Sequence, residues 1–194
     1  MKNMIEIVKR KKFFILGVIS LISIVFILFK TSSTKQVTTK PTPFSTNKIA
    51  DFKSIVPNQT SLDRINELLG YPVETRKDGD FTINEYRSTN KYRNHTIEIK
   101  KGLAIFIRQE IISGEQKASD IQKIYGLAPY MLYSQAASAT FNLFVYPNNG
   151  IAYLGHKDGT ILEIWYFSPT TIEDFINNYG DGYGYEPSKV VPIY

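Results

Sequence analysis

An internal repeat constrains the fold of this chain more than any other feature. Residues 60–70 (TSLDRINELLG) and 119–129 (SDIQKIYGLAP) both place apolar residues at helical spacing. Each segment begins with a Ser or Thr that can cap a helix and ends with a glycine followed by a proline. The two starts lie about 58 residues apart, a period at which internal duplication is expected. The sequence therefore predicts two short helices at equivalent places in two related units.

Each predicted helix is followed by three candidate strands, rich in β-branched and aromatic residues and separated by turn signals. The turns are Lys101-Gly102 in the first unit, and Asn148-Asn149-Gly150 and Asp158-Gly159 in the second. The predicted class is α+β: two α-β-β-β units forming antiparallel sheet with helices on one face. The strands are predicted at Phe81–Arg87, His95–Lys100, Leu103–Gln109, Thr140–Tyr146, Gly150–Leu154 and Ile161–Phe167.

The repeat also sets the expected domain boundaries. The first unit is predicted over residues 49–114 and the second over residues 115–180. The second unit ends with a third short helix, Thr171–Tyr179, which is closed by Gly180. Residues 181–194 are predicted to be an irregular tail.

An uncharged apolar run, Phe13 to Phe29, predicts a transmembrane helix. As a helix it would cover about 26 Å, the short end of the range for a hydrocarbon core of about 30 Å. The basic residues of segment 1–12 precede the run and place that end in the cytoplasm. A cleaved signal peptide is the competing interpretation, but the run is long for one, and Phe29 to Ser32 form no small-x-small cleavage site. The sequence favours an uncleaved signal anchor and an extracytoplasmic C-terminal part.

The distribution of charge argues against nucleic-acid binding. The net charge is +5, but residues 1–48 are strongly basic, with Glu6 as their single acidic residue, and the remainder has more acidic than basic residues. Residues 30–48 are rich in Ser, Thr, Lys and Pro and predict a flexible linker. The chain has no cysteine, which excludes disulfides, thiolate metal sites and cysteine nucleophiles.

No constellation of residues typical of catalysis is present. His95 and His156 both lie beside predicted turns and are expected in surface loops, because neither has a second ligand at metal-binding spacing. Asp78-Gly79-Asp80 lacks the later ligands of a calcium loop. We therefore expect no catalytic residue, no metal and no cofactor, and we predict that the chain is not an enzyme.

The repeated unit resembles the β-lactamase inhibitor protein and the small outer-membrane assembly lipoproteins of the SmpA/OmlA type. The resemblance covers roughly Asn58 to Gly180, and it implies protein binding through a sheet surface and loops, without catalysis. Two features depart from these proteins: the chain has no lipobox cysteine, and its anchor is a predicted membrane helix. The positions that carry the resemblance are Leu62, Ile65, Leu69, Gly70, Pro72, Tyr86, Ser88 and Gly102, with Ile121, Ile124, Gly126, Pro129 and Tyr146 in the second unit.

Aromatic residues are concentrated in the second unit. Because side chains alternate along a strand, Trp165 and Phe167 should share one face while Tyr166 points to the other. With helices on one face only, one aromatic set is left for a partner or a loop to cover, although a tyrosine-rich core is the simpler alternative. The candidate partner-binding residues are Phe106, Arg108, Phe144, Tyr146, Trp165 and Tyr166.

These observations predict a membrane-tethered, extracytoplasmic protein-binding module of the bacterial cell envelope, anchored in the bilayer by residues 13–29. Its expected partner is a protein in the envelope or outside the cell. Two alternatives remain: a subunit of a secretion or conjugation complex with an NTF2-like domain, and an envelope small-ligand sensor or enzyme. The last alternative requires a concave pocket with convergent polar groups.

Overall fold

The structure, a computed structural model, describes residues 48–136 and 140–187. The predicted cytoplasmic tail (1–12), the predicted transmembrane helix (13–29) and the linker up to residue 47 lie outside these residues. Within the described ranges, no helix is long and apolar enough to cross a membrane.

A single nine-stranded antiparallel sheet forms the body of the structure, with strand order β1-β2-β3-β4-β8-β7-β6-β5-β9. Three helices accompany it in the described part of the chain, so the fold is α+β, as predicted. A 3₁₀ turn spans Pro147–Asn149. In chain order the elements are α1 Leu62–Leu69, β1 Glu74–Asp78, β2 Phe81–Tyr86, β3 His95–Lys100, β4 Leu103–Glu110, α2 Ala118–Tyr125, β5 Tyr130–Ser134, β6 Asn142–Tyr146, β7 Ile151–Gly155, β8 Ile161–Phe167, α3 Ile172–Tyr179 and β9 Tyr183–Gly184.

Helix α1 is capped by Ser61, one of its two candidate caps, and α3 begins one residue later than predicted, with Thr171 as its cap. Ser61 accepts a hydrogen bond from the Arg64 backbone N–H, and Thr171 accepts one from the Asp174 N–H. The second helix starts earlier than predicted, and its first turn is held instead by the Asp120 carboxylate, which accepts from the backbone N–H of Lys117.

Each of the first two helices is followed by four strands, whereas three were predicted. The missed strands are β1 in the first unit and β5 in the second. Strand β1 is fully exposed and mostly charged, so it has none of the alternation that signals a half-buried strand. Its charges also protect a sheet edge from pairing with other chains. The predicted irregular tail is wrong at Tyr183–Gly184, which pairs with β5.

Two apolar cores lie on opposite faces of the sheet. On β8, Ile164 and Tyr166 belong to the first core, and Trp165 and Phe167 to the second. Helices α1 and α2 pack on the first face, and α3 packs on the second. The prediction of helices on one face is therefore wrong for α3, because β6 to β8 are apolar on both sides and need a cover on each.

Strands β4 and β8 join the two halves of the sheet. They hold the same place after their respective helices, and they pair antiparallel at the sheet centre, with Phe106 opposite Phe167 and Glu110 opposite Glu163. The predicted units thus share one continuous sheet rather than forming two separate ones.

Candidate functional site

Most of the predicted partner-binding residues are buried. The expectation of an uncovered aromatic face is wrong, because α3 covers the set that includes Trp165, while α1 and α2 lie over the set that includes Tyr166. Phe144 is half-buried and stacks on Tyr153, with 4.8 Å between ring centroids. The exposed fractions of the buried members are 4% for Phe106, 1% for Tyr146, 5% for Trp165 and 7% for Tyr166.

Arg108 is the predicted residue whose side chain reaches solvent. Its guanidinium lies 5.4 Å from the ring centroid of Trp165 and 6.0 Å from that of Phe106, so both rings provide cation–π contact. The Nε atom is buried and makes no hydrogen bond, although Glu163 Oε2 lies 3.5 Å away. Electrostatic attraction and ring contacts therefore hold this side chain in place.

Two buried carboxylates stand opposite each other beside Arg108. Glu110 and Glu163 are direct cross-strand partners, and Arg93 Nη2 contacts both, at 3.2 Å and 2.9 Å. The Trp165 indole N–H also donates to Glu163 Oε2, at 2.9 Å. We call Arg93, Arg108, Glu110 and Glu163 the charge cluster. Sequence reasoning missed it, although an acid within the apolar run ILEIWYF is a signal of a buried, paired charge.

Burial is the main reason why the pKa of Glu110 rises to about 6, and the negative charge of Glu163 adds to the rise. Arg93 and, less strongly, Arg108 oppose it. The cluster can therefore accept a proton just below neutral pH.

A polar cleft of about 280 Å³ opens next to the charge cluster, at the end of the sheet where β2 ends and β3 begins. Sequence reasoning found no pocket here, because the lining residues come from four separate parts of the chain. We call it the polar cleft, and its lining consists of Lys53, Arg87, Ser88, Thr89, His95, Gln109, Glu110 and Glu115.

His95 lines the polar cleft and is only 6% exposed. The prediction of a surface-loop position is therefore wrong for His95, which begins β3, whereas His156 does lie in a turn outside the strands. His95 Nδ1 accepts a hydrogen bond from the Glu110 backbone N–H, at 3.1 Å, and Phe52 packs edge-on against the ring. Burial lowers the pKa of His95 to about 4, with a further decrease from the charge of Lys53 and an opposing effect from Glu115.

The low pKa of His95 should make folding stability depend on pH. In the unfolded chain the ring takes up a proton near pH 6.5, but in the folded protein it does so only near pH 4. His95 therefore contributes stability that is fully present above pH 6.5 and is lost as the pH falls to 4. This contribution to the free energy of unfolding is about 3 kcal/mol. The raised pKa of Glu110 acts in the opposite direction between about pH 6 and pH 4.5 and offsets part of it.

The variant His95→Asn isolates this contribution, because an Asn amide oxygen can still accept from the Glu110 N–H but takes up no proton. Urea unfolding at pH 7 and pH 4 should show the wild type losing about 3 kcal/mol relative to His95→Asn. Equal losses in the two proteins would mean that His95 is not buried in its neutral form.

No described helix covers the second face of the sheet over its first three strands. Glu98 pairs with Phe106 of the second core, so it lies on the same face as α3, yet no described residue of β1, β2 or β3 belongs to that core. We call this surface the open sheet face. The cross-strand pairing of the three strands places nine residues on it: Glu74, Arg76, Asp78, Phe81, Ile83, Glu85, Thr96, Glu98 and Lys100.

Half of the charged residues on the open sheet face have partners among the described residues. Arg76 pairs with Glu85 at 3.3 Å, and the Lys100 ammonium lies 4.5 Å from the Phe81 ring centroid. Glu98 makes no ion pair within the described residues. Burial raises its pKa, and the nearby Arg108 charge is the main opposing influence.

Comparison with known proteins does not assign the chain to a family. No protein-family model matches it, and no curated protein matches its sequence. A DUF4309 family protein from Bacillus subtilis is 14% identical, with a TM-score of 0.42 over 61% of this chain and 86% of that protein. A cysteine-rich secretory protein from Staphylococcus aureus is 9% identical, with a TM-score of 0.35 over 66% of this chain, which spans 52% of that protein. Neither similarity identifies a function.

Proposed function

We propose that the chain is a membrane-tethered, extracytoplasmic protein-binding module without catalytic activity, and that its open sheet face receives a helix of a partner protein. One observation carries the proposal. Within the described residues, the same side of the sheet is covered by α3 over the second half and by no helix over β1 to β3. The membrane tether rests on the apolar run at residues 13–29.

The neighbouring helix α3 indicates what kind of element fits. It lays an apolar stripe that includes Ile172 and Phe175 on the sheet, and its Tyr179 stacks on Phe106 at 4.8 Å. Phe106 on β4 contacts α3 and pairs with Glu98 on β3. The open sheet face therefore begins at the strand next to the last one that α3 contacts. A partner helix lying beside α3 would extend the same layer.

Charge complementarity specifies the partner further. Phe81 and Ile83 offer half-buried apolar contact at the middle of the face. Glu98, which makes no ion pair there, would accept a Lys or Arg from the partner. The expected partner segment is therefore an amphipathic helix with a basic residue on its apolar side. Resemblance to the β-lactamase inhibitor protein and the SmpA/OmlA lipoproteins adds to the proposal, since it implies binding through a sheet surface.

Reversing the charge of Glu98 tests this proposal. Co-purification of the full-length chain from cross-linked membranes should recover a partner of defined mass with the wild type. We expect the amount of recovered partner to fall at least tenfold in Glu98→Lys. Like charges that face each other across an interface weaken the binding free energy by several kcal/mol, and about 1.4 kcal/mol already corresponds to a tenfold loss of affinity.

The matched control is Lys157→Glu, a charge reversal at an exposed residue of the β7–β8 turn. It should leave recovery unchanged, and Trp165 fluorescence should show that both variants are folded. Equal recovery with Glu98→Lys and the wild type would contradict the role of the open sheet face.

A small-ligand sensor is the second candidate function. The polar cleft favours it, because convergent polar groups in a concavity are what such a site needs.

A further inference from the structure

The polar cleft contains two cations that lack anionic partners. Lys53 and Arg87 both line it, and neither forms an ion pair or donates a hydrogen bond within the described residues. The Lys53 ammonium contacts only the Phe52 ring, with 5.3 Å to its centroid. Two positive charges thus face the same concavity, and neither is held in an ion pair.

The acidic residues of the cleft are occupied by other groups. Glu110 pairs with Arg93 at 3.2 Å. The Glu115 carboxylate accepts from the Thr89 hydroxyl, at 3.1 Å and 3.2 Å, and from the Ile112 backbone N–H. Because these donors are neutral, Glu115 keeps its negative charge and offsets one of the two cations, which leaves one positive charge for a ligand to neutralise.

His95 provides a donor that has no partner among the described residues and is reachable from the cleft. Because its Nδ1 accepts the Glu110 N–H, the proton of the neutral ring is on Nε2. Nε2 makes no hydrogen bond to any described residue and keeps contact with solvent, although the side chain as a whole is only 6% exposed and lines the cleft. A donor that opens onto a concavity beside two cations is placed to bind an oxygen of an anionic ligand.

The turn that carries Lys53 has an unfavourable backbone conformation. Lys53 and Ser54 have φ of 52° and 68°, and Phe52 and Ile55 exchange two backbone hydrogen bonds around them. This is a two-residue turn of the kind that favours Asn-Gly, because each non-glycine residue in the left-handed region costs about 1 kcal/mol or more. Strained backbone concentrates at functional sites.

We infer that the polar cleft binds a small oxyanion, a carboxylate or a phosphate, between Lys53 and Arg87, with His95 Nε2–H donating to one of its oxygens. This inference is independent of the open sheet face, which lies on another surface. Binding here would neutralise the remaining positive charge and satisfy the unpaired donor together.

Histidine NMR of the full-length protein tests the site, with inorganic phosphate as the probe. The chain has two histidines, so His156 serves as an internal reference for ionic strength. Phosphate should shift the His95 ring signals at pH 7, leave those of His156 in place, and raise the pKa of His95, because a bound anion favours the charged ring.

Two variants remove the cations without disturbing the fold. Lys53→Asn combined with Ser54→Gly keeps the turn and relieves its strain, so this protein should be at least as stable as the wild type. Arg87→Gln removes the other charge from an exposed position. We expect each to weaken phosphate binding roughly tenfold or more, the effect of losing one charge-assisted hydrogen bond. Lys157→Gln is the matched control and should bind as the wild type does.

Acetate titrated in place of phosphate distinguishes the two ligand classes. If both anions shift His95, the ligand class includes carboxylates; if phosphate alone does, the class is phosphates. The inference is overturned if neither anion shifts His95, if both histidines shift alike, or if the cation variants bind as tightly as the wild type.

Discussion

Replacing Phe175 by alanine should destabilise the protein by about 3–5 kcal/mol, the usual cost of removing a large aromatic side chain from a core. Phe175 has no exposed surface and lies at the centre of the second core. Its ring is 4.7 Å from the Phe167 ring and 6.4 Å from the Trp165 ring, measured between centroids. The variant would leave a cavity directly between α3 and the sheet.

Trp165 is the single tryptophan of the chain, so its fluorescence during urea unfolding reports on this core directly. The matched control is Asn177→Ala, an exposed position on the same helix, which should change the free energy of unfolding by less than about 0.5 kcal/mol. A loss below about 1 kcal/mol in Phe175→Ala would contradict the packing of α3 on the second face.

Replacing Arg93 by methionine should lower the free energy of unfolding by about 3 kcal/mol at pH 7.5. The substitution leaves two buried carboxylates facing each other without a cation between them. We place the effect at the low end of the range for an orphaned buried charge, since Arg93 itself is 52% exposed. Arg108 lies too far from Glu110 to form a second ion pair there, although it stays near Glu163.

Two measurements separate this effect from a loss of packing. The cost of Arg93→Met should shrink below pH 6, where Glu110 is protonated, and it should also shrink when Glu163→Gln is added. Lys91→Met, an exposed position in the same loop, serves as the control and should be nearly neutral. A cost for Arg93→Met that is independent of both pH and Glu163 would show that the carboxylates do not depend on Arg93.

Local signals in the sequence predict much of the fold. The cap at Ser61, the glycine after α1 and the Lys101-Gly102 turn are all determined by neighbouring residues, and the structure confirms them. Strand β1 could not be predicted in this way, since an exposed charged edge strand is defined by the strand it pairs with.

The face of the sheet on which α3 packs depends on tertiary contacts, which local sequence does not determine. The prediction of α3 on the other face is the reason why an exposed aromatic face was wrongly expected. The run ILEIWYF of β8 already indicated a strand buried on both sides. Its one acid, Glu163, marks the charge cluster, whereas its partners Arg93 and Glu110 are identified only by the three-dimensional pairing. Nothing in the local sequence around Lys53 signals the polar cleft.

Site-specific photo-cross-linking in membranes of cells that make the full-length chain tests the central claim most directly. A photoreactive residue at Ile83, in the middle of the open sheet face, should give an adduct with one partner of defined mass, and the adduct should be lost when Glu98→Lys is added. The same probe at Asn177, on the outer side of α3, should give none. An adduct at Asn177 without one at Ile83 would contradict the account, because the partner would then contact the covered half of the sheet rather than the open one.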